Sequence, residues 1–522
     1  MKKIRKLFIL LLAGLFLFSS CVKDAEDDEL IEETETETEN VSNSSADEKD
    51  IYINLTEKKT SDDNSTWFGI SSIKTKLLGK TVKITSDDYG VITLDYTSER
   101  AYDTNIHLFG TLAGGLKIQT NGAEGVNTSV YLNSVSITST DYPCLEITKG
   151  GAATVYLSGS NTFTDGRVYG YGYGDSAATC AEGRAKNAEG SDNKGTLYCK
   201  GSLTIAESSS GGALTVIQAY KNCIATKDGL LTVKSGSLNL KNYHGENSGK
   251  NGLYGGTGIV IEGGSISFEG KGVVSSKDLR KANGLKTDDQ DGTNTTNYIN
   301  ISGGSISISI EDGKGISASN VNISGGSVKV LVSGEENDSQ TSYSCYDADG
   351  VQESGTIKYN PKGIEGEEAI KISGGSVFVK SSKTGIDTDK NLAISGGTVV
   401  VTASKAPFKF GDSTETTTYS FAVSGNSATV FGLGSKKKTN EGLPTSCSIK
   451  CISQTFEESS VQPLGIADII SIESPNAYKA ALLISAKLAD DAEADNCFVQ
   501  GYTLGSNGSV FISSDTSVLI AK

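Results

Sequence analysis

Methionine and tryptophan occur once each in 522 residues, histidine twice and proline six times. With only His107 and His244, imidazole chemistry has almost nothing to work with. Six prolines against 61 glycines exclude a Pro/Gly-rich disordered linker and fit regular sheet with many tight turns. Positive charge is also in short supply. The net charge of −16 argues against nucleic acid as a partner, because phosphate binding needs a basic surface. Nine cysteines are too few and too irregularly spaced for a dense disulfide framework. The pair in CSIKC (447–451) has no histidine nearby and no second pair to match it, so metal ligation there is disfavoured against buried thiols or a local bridge.

What is present begins with an export signal. MKKIRK is basic, FILLLAGLFLF (8–18) is apolar, and Ser19-Ser20-Cys21 follows. The apolar run is short of the roughly 20 residues needed to span a bilayer. The small-small-Cys ending resembles a bacterial lipobox, which implies cleavage after residue 20 and acylation of Cys21. Residues 21–50 form a tether, with thirteen acidic residues and two lysines, too charged to bury a core. VKDAEDDE after Cys21 resembles the acidic export tag of surface-exposed bacterial lipoproteins. The expected location is therefore the outer face of an outer membrane, with the lipid as anchor and the chain monomeric.

The body carries a repeat: IEGGSIS at 261–267, ISGGSIS at 301–307, ISGGSVK at 323–329, ISGGSVF at 372–378 and ISGGTVV at 394–400. The glycine pairs lie 40, 22, 49 and 22 residues apart. Twenty-two reads as the period, with 40 and 49 as two turns plus loop variation. Apolar residues alternate with Ser, Thr and Lys as in half-buried strands, and the glycines supply corners. A second landmark, a small residue followed by Ile or Leu, recurs at Leu253, Leu285, Ile316, Ile364 and Ile386, and ends at Phe408. The expectation is an all-β chain: a right-handed parallel β-helix, or solenoid, over 51–440, with a β-rich C-terminal cap over 441–522. The stretch 478–491 reads equally as helix or strand.

VYLNSVSITS (130–139), LSGSNTFTDG (157–166), ATKDGLLTVKSGSL (225–238), KGIEGEEAIKISGGSVFV (362–379) and TGIDTDKNLAISGGTVVVTAS (384–404) together resemble bacterial extracellular carbohydrate-binding β-helix proteins, similar in fold to pectate lyases. The resemblance covers roughly 80–430. It implies binding of acidic or plant-type polysaccharide, with calcium held on the surface.

The side chains permit this. Stacking of the landmarks places Glu365 beside Asp387 and Glu367 beside Asp389, about 5 Å apart. Each pair repels by about 3 kcal/mol at an effective dielectric of 20. Calcium, a nearby lysine such as Lys383 or Lys390, or solvation would relieve this. Asp288, Asp289 and Asp291 form a second acidic cluster, either a calcium loop or a polar turn. Tyr169, Tyr171 and Tyr173, alternating with glycine, are candidate sugar platforms, with Tyr254, Tyr298, Tyr343 and Tyr346 behind them. Lyase chemistry would use Arg280, Lys281 or Lys286 as base. Aspartates at 288 and 289 would raise such a lysine's pKa, the wrong direction, so binding fits better than catalysis, with a calcium-dependent lyase and a surface adhesin or structural protein as the alternatives.

Overall fold

The structure is a computed structural model. It describes chiefly residues 104–168, 195–334 and 360–411, with shorter pieces from 50 to 95, from 341 to 357 and from 419 to 450, and four short strands between 498 and 521. Residues 48–522 make one compact unit.

Every described element is a strand. The strands are apolar on alternate residues and β-branched, as in SISISIE (305–311), whose side chains run exposed, buried, exposed along their length. Apart from local antiparallel hairpins, such as Lys83–Ser86 with Ile92–Asp95, and the pairing of Lys362–Ser381 with Thr384–Thr388, strands that follow one another in sequence lie in different ladders. Each pairs in parallel with a strand one circuit earlier and one circuit later. The first ladder runs from Ile92–Asp95 to Ala406–Phe410. The second begins with Asp50–Thr60 against Thr104–Ala113 and ends with Ser420–Val423 against Ser448–Lys450. The third runs from the end of Thr104–Ala113 to Ala428–Gly434, where Ser517–Ala521 closes it antiparallel.

Register makes the core. One column of the first ladder reads Leu116, Leu145, Leu197, Ile224, Leu253, Leu285, Ile316, Ile364, Ile386 and Phe408. All ten are at most 1% exposed. Burial of each such side chain stabilises by about 1.5–3 kcal/mol. The small-residue landmarks therefore stack as the sequence implies.

The fold class needs correction. The expected right-handed parallel β-helix, or solenoid, over 51–440 is overturned: the described strands close into a mainly parallel β-barrel. The main strands make one continuous 33-stranded all-β sheet, a closed, barrel-like wall around a single core. The wall is continuous because long strands such as Lys362–Ser381 turn a corner without a break and pair on both sides of it. It is mainly parallel, with antiparallel pairs at both ends. The period is corrected too. Ile266 pairs directly with Ile306, and Val328 with Val377, so glycine spacings of 40 and 49 are single circuits with insertions. Along the column above, steps range from 22 residues (Ile364 to Ile386) to 52 (Leu145 to Leu197).

The Gly-Gly corners have a steric cause. In each pair the second glycine has positive φ, as at Gly304 (79°), Gly326 (76°) and Gly375 (78°). A Cβ on Gly326 would lie 2.6 Å from the carbonyl oxygen of Gly303, in the corner of the preceding circuit. The corners nest on one another, and side chains there would wedge the circuits apart.

Candidate functional site: a lysine–carboxylate ladder

One outward row of the first ladder, in register, reads Lys117, Glu146, Tyr198, Ala225, Tyr254, Lys286, Ser317, Glu365, Asp387 and Lys409. A second row, two residues before the core column, reads Asn222, Asn251, Asn283, Lys314, Lys362, Thr384 and Ala406. The asparagines form an amide ladder: Asn251 Nδ2 donates to Asn222 Oδ1 and Asn283 Nδ2 to Asn251 Oδ1, both at 2.7 Å. Lysine replaces asparagine in the next two circuits.

At those circuits the two rows meet. Lys362 Nζ lies 2.6 Å from Glu365 Oε1 and 2.6 Å from Asp387 Oδ2, between the two carboxylates. Lys314 also pairs with Glu365, whose Oε2 accepts from Ser317 Oγ at 2.9 Å. Lys409 Nζ reaches Asp387 Oδ1 at 3.3 Å. Glu365, Asp387 and Lys362 are buried, whereas the Lys314 and Lys409 side chains are 24% and 38% exposed.

The electrostatics follow. Burial alone would raise the Glu365 pKa, but Lys362 and then Lys314 outweigh it and hold the carboxyl well below its ordinary range. Burial alone would lower the Lys362 pKa, but Asp387 and Glu365 outweigh it and raise it. Asp389 moves the other way: burial, then the charge of Asp387, raise its pKa despite Lys362 and Lys409. Glu365 therefore stabilises the fold above the ordinary carboxylate pKa of about 4.3, and that contribution is lost as pH falls towards its depressed folded value. Lys362 stabilises below the ordinary lysine pKa of about 10.4, and its contribution is lost as pH rises through its raised folded value. Asp389 opposes Glu365, since its protonated form is favoured in the fold. The expected outcome is a urea midpoint that is flat from about pH 6 to 9 and falls below about pH 4, with Asp389 blunting the fall.

The expected neighbours Glu365 and Asp387 are register partners. For Glu367 and Asp389 the ladder stops one residue earlier, at Gly366 and Thr388. The charge is offset by Lys314, Lys362 and Lys409, which the sequence reading missed. Lys390 instead pairs with Glu368 at 2.6 Å. The missed signal was there to read: Asn-Gly-Leu at 251 and 283, and Lys-Gly-Ile at 314 and 362, put a polar residue two places before each core Ile or Leu. Cys21, Asp288, Asp289, Asp291, Lys281, Tyr169, Tyr171 and Tyr173 lie outside the described residues. Among the described residues, no three His, Cys, Asp or Glu side chains form a metal-ligating group. Cys144, Cys199 and Cys223 are buried free thiols, and burial pushes Cys199 up to about 12.

Residues 79–407 match the carbohydrate-binding domain-containing protein family. The chain belongs to that family. Carbohydrate binding is accordingly the general function of this wall, which spans most of the matched segment. No curated protein matches. Among solved structures, a polysaccharide lyase-like protein from C. thermocellum, in a gadolinium derivative, is 13% identical. The match covers 69% of this chain and 95% of that one with a TM-score of 0.34, too low to support an argument.

Proposed function

We propose that this family member is an exported, lipid-anchored surface protein that holds an anionic polysaccharide along the outward row of the first ladder. The observation that carries this reading is the set of lysines. Lys314, Lys362 and Lys409 pair with two buried carboxylates, Glu365 and Asp387, in an otherwise acidic chain, and Lys286 stands two circuits before Glu365 in the same row. Three ammonium groups are held at those two carboxylates by ion pairs, and two of them, Lys314 and Lys409, keep exposed ends. Each ammonium has three donors, so Lys314 and Lys409 can serve a glycan carboxylate from their exposed ends while keeping their own partners. Tyr254, half-buried and next to Lys286 in the row, offers an apolar edge to a sugar ring. Calcium enters this reading as a bridge between glycan carboxylates and Asp389, whose carboxyl, raised in pKa by burial and then by the charge of Asp387, a bound cation would help to ionise. The acidic tether and acylated Cys21 would hold the wall away from the membrane.

Retention on immobilised polygalacturonate tests this. The double variant Lys314→Gln/Lys409→Gln is expected to bind about tenfold more weakly, with a shallower salt dependence. EDTA is expected to weaken the native protein further, and no unsaturated products should form. Unchanged retention of the double variant would overturn the assignment of this row.

A further inference from the structure

Where the third ladder hands over to the first, four successive circuits end on a buried polar side chain at the same level. Ser139 is the register partner of Asp165, and Asp165 of Gln218. Asn242 stands at that level on the next circuit, one residue past Lys241, the partner of Ile217. Ser139 is 2% exposed and the other three are 0% exposed. Each bonds into its own connection. Ser139 Oγ accepts from the Tyr142 N–H at 3.2 Å, Gln218 Nε2 donates to the Lys221 carbonyl at 3.1 Å, and Asn242 Nδ2 donates to the Lys250 carbonyl at 2.9 Å. Asp165 does most. Its Oδ2 accepts from Arg167 Nη2 at 2.6 Å and from Thr196 Oγ1 at 3.0 Å, and its Oδ1 accepts from the Arg167 N–H and Nε. Arg167 Nη2 also donates to the Gly195 carbonyl at 3.1 Å. Asp165 and Arg167 precede residues 169–194, and Gly195 and Thr196 follow them, so these bonds join the two ends of that connection.

We propose that Asp165 and Arg167 form a latch, which isolates the wall from residues 169–194 whatever conformation they take, so that this segment can be excised or exchanged without loss of the fold. Both charges are buried, and both residues bond across the base of the connection. Such a pair resists opening, because a partner left behind is neither paired nor hydrated. The two ends are thus held together independently of the chain between them. The same row closes over connections of different length on the neighbouring circuits, at residues 140–144, 220–221 and 242–250. Without a latch, motion in a long connection passes to the strands on either side, and the corner opens locally before the wall unfolds. Cys144 reports on such opening. It is 0% exposed, and its Sγ donates to the Thr164 carbonyl at 3.4 Å, next to Asp165. Burial, then the charge of Asp165, push its thiol well above the ordinary range, so it reacts only when the corner opens.

Two variants of the protein separate the latch from the segment, read by iodoacetamide labelling in native buffer, mapped by peptide mass, and by equilibrium urea unfolding. Neither readout involves a glycan. The first variant replaces residues 169–193 with a Gly/Ser linker as long as the 140–144 connection and keeps the latch. It is expected to match the native urea midpoint and the native protection of Cys144. The second, Arg167→Met, keeps the segment and breaks the latch. Cys144 is expected to label about tenfold faster than native, through local opening. Cys199, buried at the far end of its strand against the Ser202 carbonyl, is expected to keep the native rate. If Arg167→Met does not fold, Thr196→Val removes one bond to Asp165 and is expected to speed Cys144 alone, by about threefold. A lowered midpoint with Cys144 exposed in the excised variant would overturn the latch, since the wall would then depend on the segment. Equal acceleration of Cys144 and Cys199 when the latch is broken would overturn it too, as would a Cys144 that stays protected.

Discussion

Lys362→Met is expected to destabilise the protein by about 3–5 kcal/mol, the range for stranding buried charge by removing one partner. Lys362 is the only described group that touches both Glu365 and Asp387, at 2.6 Å each. Its side chain is 9% exposed, so water cannot readily replace it. Without it the two carboxylates face one another across adjacent circuits. Lys314 and Lys409 remain on the outer sides and keep the loss within this range. Equilibrium urea unfolding is the measurement, with Lys390→Met as control. Lys390 pairs with Glu368 at the same 2.6 Å, but the two side chains are 33% and 25% exposed, and such pairs contribute about 1 kcal/mol or less. Equal losses for the two variants would show that burial does not govern this ladder.

The second large effect is expected from Gly326→Ala, at about 2–5 kcal/mol. Left-handed φ costs an L-residue about 1–2 kcal/mol. The remainder comes from contact, since the new Cβ would meet three backbone atoms of Gly303 and Gly304 at 2.6–2.7 Å. Gly211→Ala separates the two causes. Its φ is +86°, but nothing lies within 4 Å of the added Cβ. That variant should lose only the conformational part, about 1–2 kcal/mol. Urea midpoints of the two variants, measured side by side, check the difference.

The sequence was informative wherever an inward residue repeated. The Ile and Leu landmarks stack as expected, and the Glu365–Asp387 register follows from them. Alternation and glycine corners are local properties, imposed by strand geometry on every circuit. Circuit length was misread because it is not local. An insertion between two corners leaves the pairing of Ile266 with Ile306, or of Val328 with Val377, unchanged. Spacing alone could not tell one long circuit from two short ones. The ion ladder was half legible. Its acids follow the landmark directly, whereas Lys314 and Lys362 precede it and Lys409 stands on the last circuit, outside the glycine repeats. The stack of His107, Tyr131 and Tyr156 rings on successive circuits of the second ladder was invisible in sequence because its members lie 24 and 25 residues apart, in circuits that lack the Ile-x-Gly-Gly-Ser/Thr repeat.

The unequal circuits also bear on how such a wall can change over time. Its hydrogen bonds are made between fixed positions on successive circuits, and the 52-residue circuit from Leu145 to Leu197 keeps the same alignment as the 22-residue one from Ile364 to Ile386. Closing a longer loop adds only about 0.6 kcal/mol per doubling of length. New surface can thus be grown at one corner, tried against a new ligand and discarded, without re-registering the strands on either side. Substitution inside the columns is tightly constrained, while insertion between them is nearly neutral.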